Sequence, residues 1–172
     1  QSAKPCARTF VSIMTKKKPE MTVPPTPRRR GGAYASESEH PVEEALTRLL
    51  QSELARAQAD APGLVEQCDP GRVWLLWFAI GAMEEMCHVT QRHENEERDR
   101  LFRHVVATIF GDGVRAQSNP WKSPQDLINL FETAGTEAVS ACMRGETELG
   151  HYLEALKACW SIMADPPRGR AD

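Results

Sequence analysis

The longest apolar run of the chain, VWLLWFAIGAM at residues 73–83, restricts the possible folds more than any other segment. Its apolar residues recur at helical spacing on two faces, one through Leu76 and Ile80 and the other through Trp74 and Phe78. A helix that is apolar on two faces is covered by other elements on both. Because a bilayer span needs about 20 apolar residues, the run predicts the central helix of a core, and no transmembrane segment is expected.

The helical pattern recurs in four further segments, each delimited by proline or glycine. They begin near Pro41, Leu101, Pro124 and Gly145, and the first ends before Pro62. No segment alternates apolar and polar residues over a sustained length, so no sheet is expected. The sequence therefore predicts an all-α body, an irregular bundle of four to five helices. It occupies residues 43–165 and is followed by a C-terminal tail at residues 166–172.

Two sequence pairs predict where helices begin. Asp69-Pro70 and Ser123-Pro124 each join a capping residue to a proline that suits the first helical position. We therefore expect the central helix to begin at Pro70 and a later one at Pro124. The polar stretch HENEERD at residues 93–99 leaves two alternatives open, a break or the exposed part of one long helix.

Residues 1–42 differ from the rest of the chain in charge and in proline content. They hold eight Lys or Arg and three Glu, whereas the remainder holds 13 basic and 21 acidic residues. Half of the 12 prolines also lie there. A segment of this kind cannot bury enough apolar surface to fold alone, so we expect an extended, mostly non-regular N-terminal arm. Its candidate partner-binding residues are two basic clusters, Lys16, Lys17, Lys18 and Arg28, Arg29, Arg30.

The cysteines favour an intracellular, reducing compartment. Five cysteines are an odd number, and neither CxxC nor zinc-finger spacing occurs among them. A disulfide between Cys142 and Cys159, on adjacent helices, is the alternative. The first nineteen residues lack acids, as organelle leaders do, so a mitochondrial location is compatible with the sequence, as is an ordinary basic tail.

A repeated Glu-x-x-His is the sharpest chemical motif of the chain. It occurs at Glu85 to His88 and again at Glu148 to His151. The repetition resembles the motif of ferritin-like di-iron proteins, in which two such motifs and two further glutamates converge inside a helical bundle. What the resemblance implies here is a metal site completed by Glu53 and by Glu132 or Glu137.

Helical phase argues against that metal site. At about 100° per residue, His151 points away from the core face of its helix and Glu148 lies at the flank. Glu85 lies on the second face of the central helix. We therefore predict no metal and no other cofactor, with the candidate ligands being Glu84, Glu85, His88, Glu148 and His151.

Phase places a different pair near the core. Glu84 falls close to the core centre of the central helix, with His88 beside it at i,i+4. Since a buried carboxylate needs partners, we expect the two to bond to each other or to an arginine such as Arg103. The alternative is a metal or proton site completed by His93 or His104.

The sequence carries no pattern of an enzyme that we can identify. GxSxG is absent, and Cys87 and His88 are adjacent, so their side chains point about 100° apart on a helix. Gly111 to Gly113 lacks the Lys-Ser/Thr of a phosphate-binding loop. We therefore predict a protein that is not an enzyme.

The arm and the body together suggest a function in assembly. The acidic body lacks a nucleic-acid-reading pattern, so the basic arm alone does not indicate nucleic-acid binding. The prediction is a non-catalytic accessory or scaffold subunit of a larger assembly, with other protein subunits as partners. RNA or anionic lipid as contacts of the arm stay open, as does a tail without a partner. Respiratory-chain, ATP-synthase and ribosomal complexes are examples, and a metal-binding bundle or a free-standing regulatory adaptor are the alternatives.

Overall fold

The computed structural model describes residues 41–111, 123–146 and 150–164, and all regular structure in these ranges is helical. The prediction of an all-α body is confirmed. Three parts of the prediction lie outside the described residues. They are the arm up to residue 40 with its basic clusters, the candidate ligand Glu148, and the C-terminal tail. The six helices are α1 (Pro41–Asp60), α2 (Pro62–Cys68), α3 (Val73–Val89), α4 (Asn95–Phe110), α5 (Gln125–Met143) and α6 (His151–Ala164).

Helix α2 was not predicted, because proline and glycine were taken only as the end of α1. In the structure α1 ends at Asp60, and Pro62 opens a new short helix after a single residue, Ala61. The backbone carbonyl of Ala61 accepts hydrogen bonds from the N–H groups of Leu64 and Val65. Proline has no backbone N–H, and the first turn of a helix needs none for its internal hydrogen bonds. A proline can therefore begin one helix directly after it has ended another.

The central helix α3 begins at Val73, three residues later than predicted, although Asp69 does act as its cap. The Asp69 carboxylate accepts the N–H groups of Trp74 at 3.0 Å and Leu75 at 2.8 Å. The chain between them turns through Arg72, whose φ of 55° is left-handed. The capping residue was therefore predicted correctly, and the start of the helix was not.

Of the two alternatives left open for the polar stretch at residues 93–99, a break is found, because α3 ends at Val89 and α4 begins at Asn95. Helix α5 begins at Gln125, one residue later than predicted, with Pro124 at the position before the helix rather than inside it. The order of the helices is as predicted.

The core is organised around the crossing of α3 and α5, the most extensive helix pair of the described residues. The two helices approach most closely at Gly81 and Gly135. A Cβ atom at Gly135 would lie under 3.0 Å from backbone atoms of Phe78 and Ala82, and one at Gly81 would lie equally close to the backbone of Glu132. The absence of side chains at both glycines is therefore what permits this crossing.

Aromatic side chains fill the core beside this crossing. The rings of Trp74 and Phe131 stack with centroids 5.2 Å apart, joining α3 to α5. The ring of Tyr152 on α6 lies edge-on to Phe78, with centroids 5.6 Å apart. These contacts bring the start of α6 against the α3–α5 pair.

The remaining helices cover this core. Helix α6 packs on α1, α2 and α5, and α4 packs on α3 and α1. Cys142 and Cys159 are both buried as thiols, so the alternative disulfide between them is not formed. None of the helices within the described ranges combines the length and the apolarity that crossing a bilayer requires.

Candidate functional site

The expected buried pair of Glu84 and His88 is not found. Both residues are exposed, and Glu84 forms an ion pair with Arg98 of α4 rather than with Arg103. Met86 and Cys87 take the core positions of this part of α3. The prediction was wrong because the run at residues 73–83 is apolar on nearly every side of the helix. Its spacing therefore does not indicate which side of α3 faces solvent at residues 84–88.

The other residues considered with this pair also lie apart. Glu85 is half-buried, with its Oε1 3.5 Å from the hydroxyl of Ser140 on α5. His104 lies against α1, its Nε2 2.7 Å from the hydroxyl oxygen of Thr47. His93 is exposed between α3 and α4.

The helical phase of His151 predicted that its side chain points to solvent, and this prediction was wrong. Its side chain is 25% exposed, and Nδ1 lies 3.4 Å from Oε1 of Glu53 on α1. The phase argument failed because α6 begins at His151 itself, where a partner from another helix can reach the side chain. In the part of the chain that the structure describes, no three His, Cys, Asp or Glu side chains are grouped as a metal ion would require.

Glu53 is the most deeply buried charged residue of the described body, with no exposed surface. Its Oε1 accepts the N–H of Gly150 at 3.2 Å, and its Oε2 accepts the N–H of Tyr152 at 3.1 Å. The first N–H groups of a helix lack partners within it, and its N-terminus favours negative charge. Glu53 on α1 therefore caps α6 from a different helix.

Asp69 is the second buried carboxylate that binds the start of α6. The hydroxyl of Tyr152 donates to its Oδ2 at 2.6 Å, in addition to the two backbone N–H groups of α3. Tyr152 thus joins Glu53 and Asp69, one through its backbone and one through its side chain. We call these three residues the carboxylate cluster.

Burial dominates the protonation of Asp69 and Tyr152. It raises the pKa of Asp69 to about 6, although the hydrogen bonds from Tyr152, Trp74 and Leu75 act in the opposite direction. Burial also raises the pKa of the Tyr152 hydroxyl, and the neighbouring Asp69 charge adds to the effect. The Tyr152 hydroxyl is therefore a protonated donor, as its short bond to Asp69 requires.

The change Tyr152→Phe isolates the hydroxyl of this cluster. Because it leaves Asp69 buried with one donor fewer, we expect a loss of about 1–3 kcal/mol in the free energy of unfolding. Urea denaturation followed by circular dichroism measures it. Loss of no more than a few tenths of a kcal/mol would show that the hydrogen bond contributes nothing net.

The raised pKa of Asp69 predicts a pH dependence of stability. Between pH 4 and 6 the unfolded chain ionises this carboxyl while the folded chain retains its proton, so stability falls as pH rises, by at most about 3 kcal/mol. Asp69→Asn removes this titration. We expect the difference in unfolding free energy between the parent chain and Asp69→Asn to decrease over this interval and to level off above pH 7. A difference that stays constant or increases would contradict the assignment.

A groove of about 980 Å³ lies beside the carboxylate cluster, between the end of α1, α5 and α6. We call it the α6 groove. Two of its basic residues are already paired, Arg56 with Asp60 and Lys157 with Glu154. Two further acidic residues of the groove, Asp126 and Glu137, lie on α5. Its apolar surface includes Leu130 of α5 and Ile162 of α6.

His151 also lines the α6 groove and is paired with Glu53. A histidine held by a carboxylate is the arrangement of a catalytic base, so a catalytic role of this pair has to be considered. Such a base needs a nucleophile or a bound substrate to act on. The groove supplies only the hydroxyl of Thr133 among its described side chains, with neither Ser nor Cys. The capping bonds from Gly150 and Tyr152 already account for the burial of Glu53 as a structural group.

A second, smaller groove of about 430 Å³ separates α3 from α4. The ion pair of Glu84 and Arg98 lines it together with the side chains of Trp77, Ile80 and Phe102. Two of its charged residues are thus already bonded to each other.

The end of α6 exposes large apolar side chains to solvent. Trp160, Ile162 and Met163 are 44%, 47% and 45% exposed, and they are the large hydrophobic residues of the described body that reach this exposure. Trp160 and Met163, three residues apart, share one side of the helix, whereas Ile162 lies on another and lines the α6 groove. We call these three residues the α6 end.

Comparisons with protein-family models, with curated proteins and with solved structures found no match for this chain. The structure itself defines an all-α body, in which two buried carboxylates hold the last helix of the described residues. This role of Glu53 was not predicted from the sequence, although one signal was present. Glu53 follows Leu49 and Leu50 at helical spacing on the apolar face of α1, where a carboxylate needs a partner.

Proposed function

We propose that this chain is a non-catalytic accessory or scaffold subunit of a larger assembly, which docks through its basic arm and its helical body. The observation that carries the proposal is the α6 end. Its three large apolar side chains lie within the last turns of one helix, on two of its sides, while the other large apolar residues of the described body are more fully covered. A concentration of exposed apolar side chains is typical of a protein-binding surface.

The composition of the α6 end fits the centre of a protein interface. Trp is among the residues that contribute most to binding when a partner excludes water around them, and Met is also enriched there. Burial of apolar surface contributes about 25 cal/mol per Å², so covering three such side chains favours association. The proposed partner is a protein subunit with an apolar surface that contacts two sides of the end of α6.

The polar interior supports a structural rather than a catalytic body. Glu53 and Asp69, the most buried carboxylates, contact backbone N–H groups and Tyr152, and Glu53 also contacts His151. These bonds fix the position of α6 against α1 and α3. The carboxylate cluster thus holds in place the helix whose far end is proposed to bind the partner.

The location of the assembly is proposed from the sequence. Four buried cysteines that form no disulfide suit an intracellular, reducing compartment. The acid-free leader favours an organellar complex, with the mitochondrion as the first to examine. The arm would contact other protein subunits, with RNA or anionic lipid as the alternative contacts.

Affinity purification of the full-length chain from native extract tests the α6 end. We expect co-purifying protein subunits with the parent chain and their loss with the variant Trp160→Ser/Met163→Ser. Because more than half of each side chain is already covered in the free chain, we expect the variant to lose some stability, and circular dichroism verifies that it is folded.

Ser161→Ala, a change at an exposed position between the two, is the matched control and should retain the partners. Equal recovery of the partners with both variants would contradict docking through this surface.

A further inference from the structure

The α6 groove contains two carboxylates that no basic side chain of the described residues neutralises. Asp126, in the first turn of α5, and Glu137, three turns further along, line the groove without a hydrogen bond or ion pair to any described residue. The other charged pairs of the groove, described above, are already balanced. The groove therefore presents a net negative charge beside the apolar surface of Leu130 and Ile162.

We propose that the basic arm of the same chain binds this groove in the free protein, through Lys16–Lys18 and Arg28–Arg30. The chain itself provides the complementary charge, since residues 1–42 carry eight basic and three acidic residues. Complementary charge favours encounter and fixes which surfaces meet. The described body offers few competing bases, with nine Lys or Arg against 17 Asp or Glu.

The covalent connection permits this contact. The arm joins the body at Pro41, and Arg56 at the groove lies 15 residues further along α1, which corresponds to about 22 Å. Arg30 is 11 residues before Pro41, and 11 extended residues span up to about 36 Å. Lys18 is 23 residues before Pro41, so its reach is about twice as long.

This occupancy would regulate assembly. An arm that lies in the groove is not available to a neighbouring subunit, and it is held beside Ile162 at the α6 end. A partner that docks at the α6 end would displace it, which frees the basic clusters for their own contact. The intrachain contact itself does not depend on the proposed docking function, because it forms without a partner.

Zero-length carbodiimide cross-linking of the dilute full-length protein, read by mass spectrometry, tests this contact. Carbodiimide joins a lysine amine to a carboxylate that it already touches. We expect cross-links from Lys16–Lys18 to Asp126 or Glu137, and their loss in 0.5 M salt because exposed charge pairs are screened. A mixture of ¹⁵N-labelled and unlabelled protein separates links within one chain from links between copies.

Two matched variants make the result specific. Asp126→Asn/Glu137→Gln should abolish the cross-links, whereas Glu94→Gln/Glu96→Gln, at exposed acids where α4 begins, should retain them. Thermal unfolding verifies that both variants are folded. The proposal is overturned by an absence of cross-links to the groove, by cross-links found only between copies, or by equal labelling of the acids of α4. Failure of the docking function appears separately, as a lack of co-purifying subunits.

Discussion

We expect Gly135→Ala to lower the free energy of unfolding by about 3 kcal/mol or more, and Gly81→Ala to have an effect of similar size. A methyl group at Gly135 would overlap the backbone carbonyl of Phe78, and one at Gly81 would overlap that of Glu132. Backbone atoms within a helix cannot rotate away as a flexible side chain can. The two helices must therefore separate to admit the methyl group, and overpacking of this kind typically costs 1–3 kcal/mol and occasionally more.

Separation of α3 and α5 would also disturb the aromatic core. Trp74 stacks on Phe131 across the same pair of helices, and Phe78 contacts Tyr152 of α6. Helix propensity acts the other way, because Ala is favoured over Gly by about 1 kcal/mol inside a helix. The steric term exceeds that gain, so the net effect is destabilising.

Gly63→Ala is the matched control for both substitutions. Gly63 is also helical, and nothing lies within 4 Å of the Cβ atom that alanine would add. We expect it to leave stability unchanged or to raise it by up to about 1 kcal/mol. Urea denaturation of the three variants measures the differences. If Gly135→Ala and Gly63→Ala unfold at the same urea concentration, the close crossing of α3 and α5 is not as described.

The second large effect is expected for Glu53→Ala, at about 3 kcal/mol. The change leaves the N–H groups of Gly150 and Tyr152 without an acceptor at a buried helix start, and it opens a cavity beneath His151. Glu53→Gln keeps an oxygen that can accept one of these bonds, so a smaller loss is expected. Because Glu53 is fully buried, solvent cannot replace the lost acceptor.

Glu66→Ala controls for the removal of a carboxylate at an exposed helical position and should change stability by no more than about 0.5 kcal/mol. Amide hydrogen exchange gives the local evidence. We expect the Tyr152 amide to exchange much faster in Glu53→Ala, before global unfolding. An unchanged protection of that amide would contradict the capping of α6 by Glu53.

The fold was predictable from sequence to the extent that local patterns determine it. Apolar spacing and proline positions predicted the all-α body, and Asp69 was correctly assigned as a cap. The close helix crossing is only partly visible in the sequence. The small residues Ala134 and Gly135 permit close packing of α5, but Gly81 lies inside the apolar run, where its partner on α5 cannot be inferred from local spacing.

The candidate site was less predictable, because it depends on contacts between distant segments. Glu53 and Tyr152 are 99 residues apart, and no pattern within α1 indicates which backbone groups its carboxylate will meet. Phase also failed at His151, since a helix start accepts partners from outside its own helix. Glu84 pairs with Arg98 of the next helix, a partner that spacing within α3 does not indicate.

The size of the native protein in extract tests the central claim most directly. Size-exclusion chromatography with immunodetection compares the endogenous chain in native extract with the same chain after it has been purified away from other proteins. The account predicts elution at a larger size together with partner subunits, and a shift of Trp160→Ser/Met163→Ser towards the monomer. Recovery of the parent chain as a lone soluble monomer would contradict the proposal that it is a subunit of a stable assembly.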